Sequence, residues 1–252
     1  MDLVCSHRVK GLPAIGEGDD LAAMILDRFP IRDGDVVCIA STVVSKSEGR
    51  ARKLEDYSPS ARAEEIAKRL DKDPGFVQAV LEESEEVLLD RPFLLVATKF
   101  GHIGVNAGID RSNVGGGRIL LLPENPGASA DRIRRGLQKD CAVIVTDTCG
   151  RAFRCGVAGV AIGWSGVAAL RDWRGERDLE GRELEITQEA IADEIAGMAN
   201  LLMGEGGDGT PVVVVRGLEV PRAGGRLFRP KDLDVIRDRL QESRFQDRDP
   251  SS

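Results

Sequence analysis

The sequence predicts a mixed α/β (α+β) fold, and two observations carry that expectation. Five short apolar runs rich in β-branched residues end in Gly, Pro or Asp, and five stretches with helical spacing of apolar residues lie among them. With 252 residues, 42% of them apolar and 31% charged, the chain has ample core for one large domain or two small ones. The expected organisation is one domain over 1–245, with room for two subdomains, followed by a polar tail over 246–252.

In chain order, "DDLAAMILDRF" (19–29) reads as a helix with Asp19 or Asp20 as its N-cap. "DVVCIAS" (35–41) is a strand, and "SARAEEIAKRLDK" (60–72) a helix. "FLLVAT" (93–98) is a strand. "SADRIRRGLQK" (129–139) is a helix feeding the strand "AVIVTD" (142–147), and "GVAIG" (159–163) is a further strand. "TQEAIADEIAGMANLLMG" (187–204) reads as a helix with an apolar stripe at Ile191, Ile195, Met198, Leu201 and Leu202. "PVVVVRG" (211–217) closes the strand set, and "PKDLDVIRDRLQ" (230–241) is a last helix. The glycines of "GVAGVAIG" fall inside a strand, which removes the strand-then-helix setting of a dinucleotide fingerprint, and no P-loop sequence occurs.

A formal net charge of −7 argues against nucleic-acid binding through a broad basic surface. No apolar run is long enough to span a bilayer, and "MDLVCSHRVK" lacks the apolar core of a signal peptide, so a cytoplasmic location without membrane attachment is the expectation. Five cysteines without CxxC spacing favour neither a disulfide framework nor a zinc knuckle, and Cys38 and Cys141 sit in apolar runs as core residues. With two histidines, any divalent ion should be held by oxygen ligands, which favours Mg²⁺ or Mn²⁺.

Four stretches each admit a structural and a functional reading. In "VKGLPAIGEGDD", Gly11, Pro13, Gly16 and Gly18 form a loop entering a helix, either a plain connection or a place where loop amides meet a phosphate. In "IASTVVSKSEGR", a strand ends in Ser41-Thr42 with Lys46 four residues on, either a solvated turn or donors and a charge for a polyphosphate. In "VNAGIDRSNVGGG", Asn106, Asp110, Ser112 and Asn113 alternate with small residues, either an Asx turn or a metal–phosphate site. In "VIVTDTCGR", Asp147 and Thr148 stand at the tip of an apolar strand, where α/β sheets place ligands, with Arg151 and Arg154 available to an anionic substrate.

Taken in this order, "VKGLP.I..GDDLA", "DGDVVCIASTVVSKSEGR", "NAGIDRSN", "LLPENP..SA..IR", "VIVTDTCGR" and "NLLMGEG...PVVVVRG" resemble the coenzyme F420-0:gamma-glutamyl ligases over roughly residues 8 to 217. The resemblance implies a mixed-sheet fold working as an intertwined homodimer. It implies a GTP-dependent amide-forming ligase acting on coenzyme F420-0 and L-glutamate, with a second glutamate added through a gamma linkage. The acceptor carboxylate would be phosphorylated by GTP to an acyl phosphate, which the glutamate amine attacks. Carried over by motif, Leu12, Pro13, Ala14, Ile15, Ser41, Thr42, Lys46 and Asn113 would contact the nucleotide, and Glu205, Gly206 and Gly207 would close over it. Asp110, Asp147 and Thr148 would hold Mg²⁺ or Mn²⁺ in one or two divalent sites, with K⁺ as a further candidate, and Asp110, Asp147 and Arg151 would serve catalysis. Departures from the family pattern fall at Cys149, at Ala152-Phe153 and at Gly127, and bear on packing at the substrate side. Two other classes use the same residues: a metal-dependent phosphatase or nucleotidase, and a non-catalytic GTP-binding regulator.

Overall fold

The computed structural model describes residues 3–111, 117–207 and 209–246. In chain order it contains β1 (Cys5–Arg8), α1 (Leu21–Arg28), β2 (Val36–Ala40), α2 (Ser41–Ser47), β3 (Ala51–Lys53), α3 (Ala61–Leu70), α4 (Pro74–Glu82), β4 (Ser84–Asp90), β5 (Leu94–Thr98), β6 (Ile103–Val105), β7 (Arg118–Leu120), α5 (Pro126–Leu137), β8 (Ala142–Arg151), β9 (Arg154–Ser165), β10 (Arg171–Asp172), β11 (Gln188–Glu189), α6 (Ile191–Met203), β12 (Val212–Arg216) and α7 (Val235–Gln246). The chain divides into two compact units, one of residues 1–50 and 123–227, the other of residues 51–122 and 228–252.

The first unit is built on a five-stranded mixed sheet in the order β1-β12-β2-β8-β9. Only β2 and β8 are parallel; every other pair is antiparallel. The runs "VVCIA" and "VVVVR" are nearly all apolar because both sheet faces are covered, which removes the need for polar alternation. Val36, Cys38, Ile144, Ala161 and Val213 face α6 through its Ile191, Ala192, Ile195, Ala196 and Ala199. Val37, Ile39, Val143 and Val145 are buried on the opposite face. There α5 lies against β9 so closely that a Cβ at Gly163 would stand 2.3 Å from the Pro126 carbonyl carbon. At one end of the sheet, Asp35, 1% exposed, takes Nε and Nη2 of Arg216, each at 2.7 Å.

The second unit has a three-stranded antiparallel sheet, β4-β5-β6, and a two-stranded ladder, β3-β7. Ala63, Ile66, Phe76, Val80, Leu94, Val96, Ile119 and Leu121 form its core. Ser60 caps α3 by accepting from Ala63 N, and Asp73 caps α4 by accepting from Phe76 N, with Pro74 opening the helix. His102 is buried beside Phe100 and Phe228, and burial pushes its pKa down to about 4, so it stays neutral. His7 lies in β1 with its ring against Phe29 at 5.4 Å. Lys231 and Arg237 both pair with Glu86 of β4 and hold the segment after residue 228 to this unit.

Several elements depart from the sequence expectation, each for a physical reason. "STVVSKS" is a helix rather than a strand running into a loop, because burial of Val43 and Val44 outweighs the weak helix propensity of a Ser/Thr/Val run. Helix α4 and strand β4 lie outside the elements expected from the sequence; the Asp73-Pro74 start is the signal that marks the helix. Helix α6 starts at Ile191, since residues 188 and 189 pair with 172 and 171 as β11 and β10. Its buried face is Ala-rich, and Leu201, expected in the apolar stripe, points outward at 81% exposure. Helix α7 runs from Val235 to Gln246, beyond the helix expected over 230–241, and residues 247–252 of the expected polar tail lie outside the described residues. Among the described residues no helix is long and apolar enough to cross a membrane.

Candidate functional site

The parallel pairing of β2 with β8 ends at Ala40 opposite Thr146. The residues that follow are Ser41, which opens α2, and Asp147 on β8, and Ser41 Oγ donates to Asp147 Oδ1 at 3.1 Å. Two groups 106 residues apart in sequence thus meet at the carboxyl end of the parallel pair, the edge where open α/β sheets place ligands. Ser41 is also the first residue of α2, so Thr42 and Lys46, four apart, share one helix face. Lys46 is half-buried, and among the described residues no side chain pairs with its ammonium.

Asp147 and Thr148 do not lie at a strand tip. Strand β8 continues to Arg151 and forms a hairpin arm with β9 that outruns β2. The extension arises because β8 keeps its antiparallel partner after its parallel one has ended. Arg151 stands near the turn of this arm, where its Nη2 donates to Cys155 O at 3.1 Å and braces the hairpin. Four residues of strand separate it from Asp147, about 13 Å. Cys149, two residues beyond Asp147, has its thiol pushed up by burial and further by the Asp147 and Asp193 carboxylates. It therefore stays protonated and is a poor nucleophile.

The loop carrying Leu12, Pro13, Ala14 and Ile15 is tied to the same helix: Gly18 N donates to Ser47 O at 2.9 Å. Gly16 N donates to Asp19 Oδ2, and Asp20 caps α1 by accepting from the Ala22 and Ala23 amides. Pro13 and Ala14 are exposed. At the end of α6, Gly204 turns the chain with φ 71°, Glu205 comes next, and Asn200 Nδ2 donates to Glu205 Oε1 at 3.0 Å. Gly206 and Gly207 are exposed in this loop.

Asp110 belongs to the second unit, where its N–H and C=O both pair with Leu120, at 3.0 and 2.8 Å. Four residues earlier, Asn106 and Ala107 take positive φ of 53° and 56°, and among the described residues the buried Asn106 Oδ1 has no hydrogen-bond partner. Ser112, Asn113, Gly115 and Gly116 lie outside the described residues. Asp193, which sequence reasoning passed over, accepts from Ala161 N at 2.8 Å where the β8–β9 register shifts by one residue. Burial raises its carboxyl pKa. The signal for it was an acid set among Ile191, Ala192, Ile195 and Ala196, the residues that α6 buries.

A divalent ion fits the donor chemistry in the first unit. Asp147 supplies a carboxylate and Ser41 a hydroxyl, both hard oxygens, while the Thr148 side chain, next along the strand, points to the other face. Among the described residues no three His, Cys, Asp or Glu side chains form a metal-holding group.

A mixed sheet flanked by helices, with a hydroxyl and a carboxylate meeting where its parallel pair ends, defines a mixed α/β protein. Residues 11–217 match the family model described as F420-0:Gamma-glutamyl ligase. The chain is 60% identical over 235 residues to the coenzyme F420:L-glutamate ligase of Archaeoglobus fulgidus, covering 91% of this chain and 94% of that protein. It is 57% identical over 241 residues to the protein of the same name from Halobacterium salinarum, covering 92% and 95%. For that of Methanosarcina mazei the identity is 49% over 241 residues, again covering 92% and 95%. This chain belongs to the F420-0:gamma-glutamyl ligase family.

Proposed function

We propose that the protein is a GTP-dependent ligase that joins L-glutamate to coenzyme F420-0, and a further glutamate through a gamma linkage, in coenzyme F420 biosynthesis. The observation that supports this most directly is the Ser41–Asp147 contact at the carboxyl end of the β2–β8 pair, inside the segment that matches the family. The reaction joins two anions, a carboxylate and the γ-phosphate of GTP. A carboxylate oxygen forms a bond to phosphorus and GDP leaves; the amine then attacks the carbonyl carbon, loses a proton, and phosphate leaves. Bringing the anions together requires positive charge and fixed donors, which supply most of the catalysis in phosphoryl transfer. Lys46 offers the charge and Thr42 a hydroxyl on the same helix face, while the loop at 12–15 borders that helix. Asp147 and Thr148 of the first unit are the residues that would hold Mg²⁺ or Mn²⁺, Asp110 of the second unit is carried over from the family as a metal ligand in its own right, and K⁺ is a further candidate ion. The divalent ion supplies charge neutralisation and Lewis acidity at the phosphates.

Incubation with coenzyme F420-0, GTP, L-glutamate and Mg²⁺ or Mn²⁺, with products resolved by mass spectrometry, tests the reading. The expected products carry one or two added glutamates, with GDP and phosphate released in step. Phosphate release without a glutamylated product would overturn it in favour of a phosphatase.

Lys46→Ala should weaken GTP use by about ten- to a hundredfold, since a hydrogen bond to a charged group contributes roughly 1.5–3 kcal/mol and each 1.4 kcal/mol is tenfold. Lys46→Arg should recover only part of it, because a planar fork does not replace a compact ammonium. Steady-state kinetics with varied GTP decides; unchanged kinetics in Lys46→Ala would remove this helix face from the nucleotide site. The active form is proposed to be a homodimer working in the cytoplasm. Light scattering should give about twice 27.2 kDa, and a fully active monomer would refute the dimer.

A further inference from the structure

Glu205 sits where electrostatics disfavours it. It lies two residues beyond α6, next to the helix end whose free carbonyls carry partial negative charge. Its carboxylate is held there by Asn200 Nδ2 at 3.0 Å. Asn200 occupies the last turn of α6, where its own backbone carbonyl accepts from Gly204 N at 2.9 Å, so one residue both ends the helix and grips the acid beyond it.

The other side of Asn200 rests on the hairpin arm. A Cβ placed at Gly159 would lie 2.6 Å from Asn200 Cβ and 2.6 Å from the Ala196 carbonyl oxygen, so only glycine lets α6 lie this low on β9. Gly159 is in register with Thr148, and its neighbour Val160 with Asp147. The register that puts Gly159 under the helix is set by a one-residue shift, and the Ala161 amide at that shift donates to Asp193, also on α6. Helix α6 is thus seated on the arm at two points: Asp193 on the Ala161 amide and Asn200 over Gly159.

We infer that Asn200 is a positioning residue that holds the Glu205 carboxylate on the face of the hairpin arm that carries Thr148, to engage the nucleotide. The inference rests on the nucleotide-binding reading of Glu205. An amide suits the task because it donates to a carboxylate at every pH without adding a charge. Without that donor, the exposed Glu205 side chain would be repelled by the helix end and would no longer be held in one orientation on its glycine-rich loop.

The test is equilibrium binding of GTP with Mg²⁺ to the full chain, which needs no turnover, so failure of the ligase assay and failure of this inference are read separately. Asn200→Ala should weaken binding about tenfold, and Glu205→Ala at least as much. In the double variant the Asn200 change should add nothing, because its partner is gone. Asn200→Asp gives a second readout. An ionised Asp repels Glu205, whereas a protonated one donates to it, so its loss relative to the parent should be deepest at neutral pH and shrink as pH falls towards about 4. A purely structural Asn200 predicts additive losses and no such pH dependence, and either result overturns the inference while leaving Glu205 in the site. Glu205→Ala binding as tightly as the parent, or a parent that does not bind GTP, would overturn both.

Discussion

Asp147→Asn should reduce glutamate ligation about a hundredfold or more while leaving the melting temperature within a few degrees. Asparagine has the same shape and keeps an oxygen to accept from Ser41 Oγ, so the 3.1 Å contact that ends the β2–β8 pair can persist. What is lost is the negative charge. In the proposed reaction that charge holds a divalent ion, whose neutralisation of the phosphates is worth several kcal/mol, and each 1.4 kcal/mol is tenfold. Asp147→Ala removes both charge and acceptor and leaves the buried Ser41 hydroxyl without this partner, so it should also lower stability by about 1 kcal/mol. Product quantification by mass spectrometry and a thermal melt separate the two effects. Near-normal turnover in Asp147→Asn would exclude Asp147 as a metal ligand. The resemblance places Asp110 in the same role, and Asp110→Asn carries the same expectation from the second unit.

Arg216→Leu should cost about 3–5 kcal/mol of stability, because it strands a charge that is taken almost wholly out of water. Asp35 is 1% exposed and is met by two guanidinium nitrogens at 2.7 Å, with the Arg32 amide as a third donor at 2.8 Å. Arg216 also reaches Pro30 O at 2.9 Å and stacks over Phe29 at 5.4 Å, so its loss frees the segment that enters β2. The companion variant Asp35→Asn/Arg216→Leu should recover much of the loss, since no uncompensated charge remains. Urea unfolding measured for both variants checks this. A loss below about 1 kcal/mol in Arg216→Leu would mean that water reaches Asp35 when the arginine is removed.

Much of the secondary structure is local enough to be legible. The β-branched runs at 35–41, 142–147 and 211–217 became β2, β8 and β12, and Asp20 became the cap of α1. Cys38 and Cys141 are core residues, in keeping with their apolar settings. Where local propensity and packing disagree, the sequence misleads: "STVVSKS" has strand-like residues yet folds as a helix, and Leu201 fits an apolar stripe yet faces outward. Both outcomes are set by neighbours distant in sequence, which no window of the chain displays.

The sequence by itself determined the family, the mixed α/β class and the residue types on which the proposed oxygen-donor site rests. Those depend on residue identity and order, which a chain carries without folding. Only the tertiary structure decided that Ser41 meets Asp147, that the β8–β9 hairpin outruns its parallel partner, and that Asn200, seated over a glycine opposite Thr148, donates to Glu205. These depend on register, on a one-residue shift in a ladder and on how closely a helix can approach a strand. Such quantities are set by the packing of the whole sheet, because a shift of one residue turns every side chain of a strand to the other face.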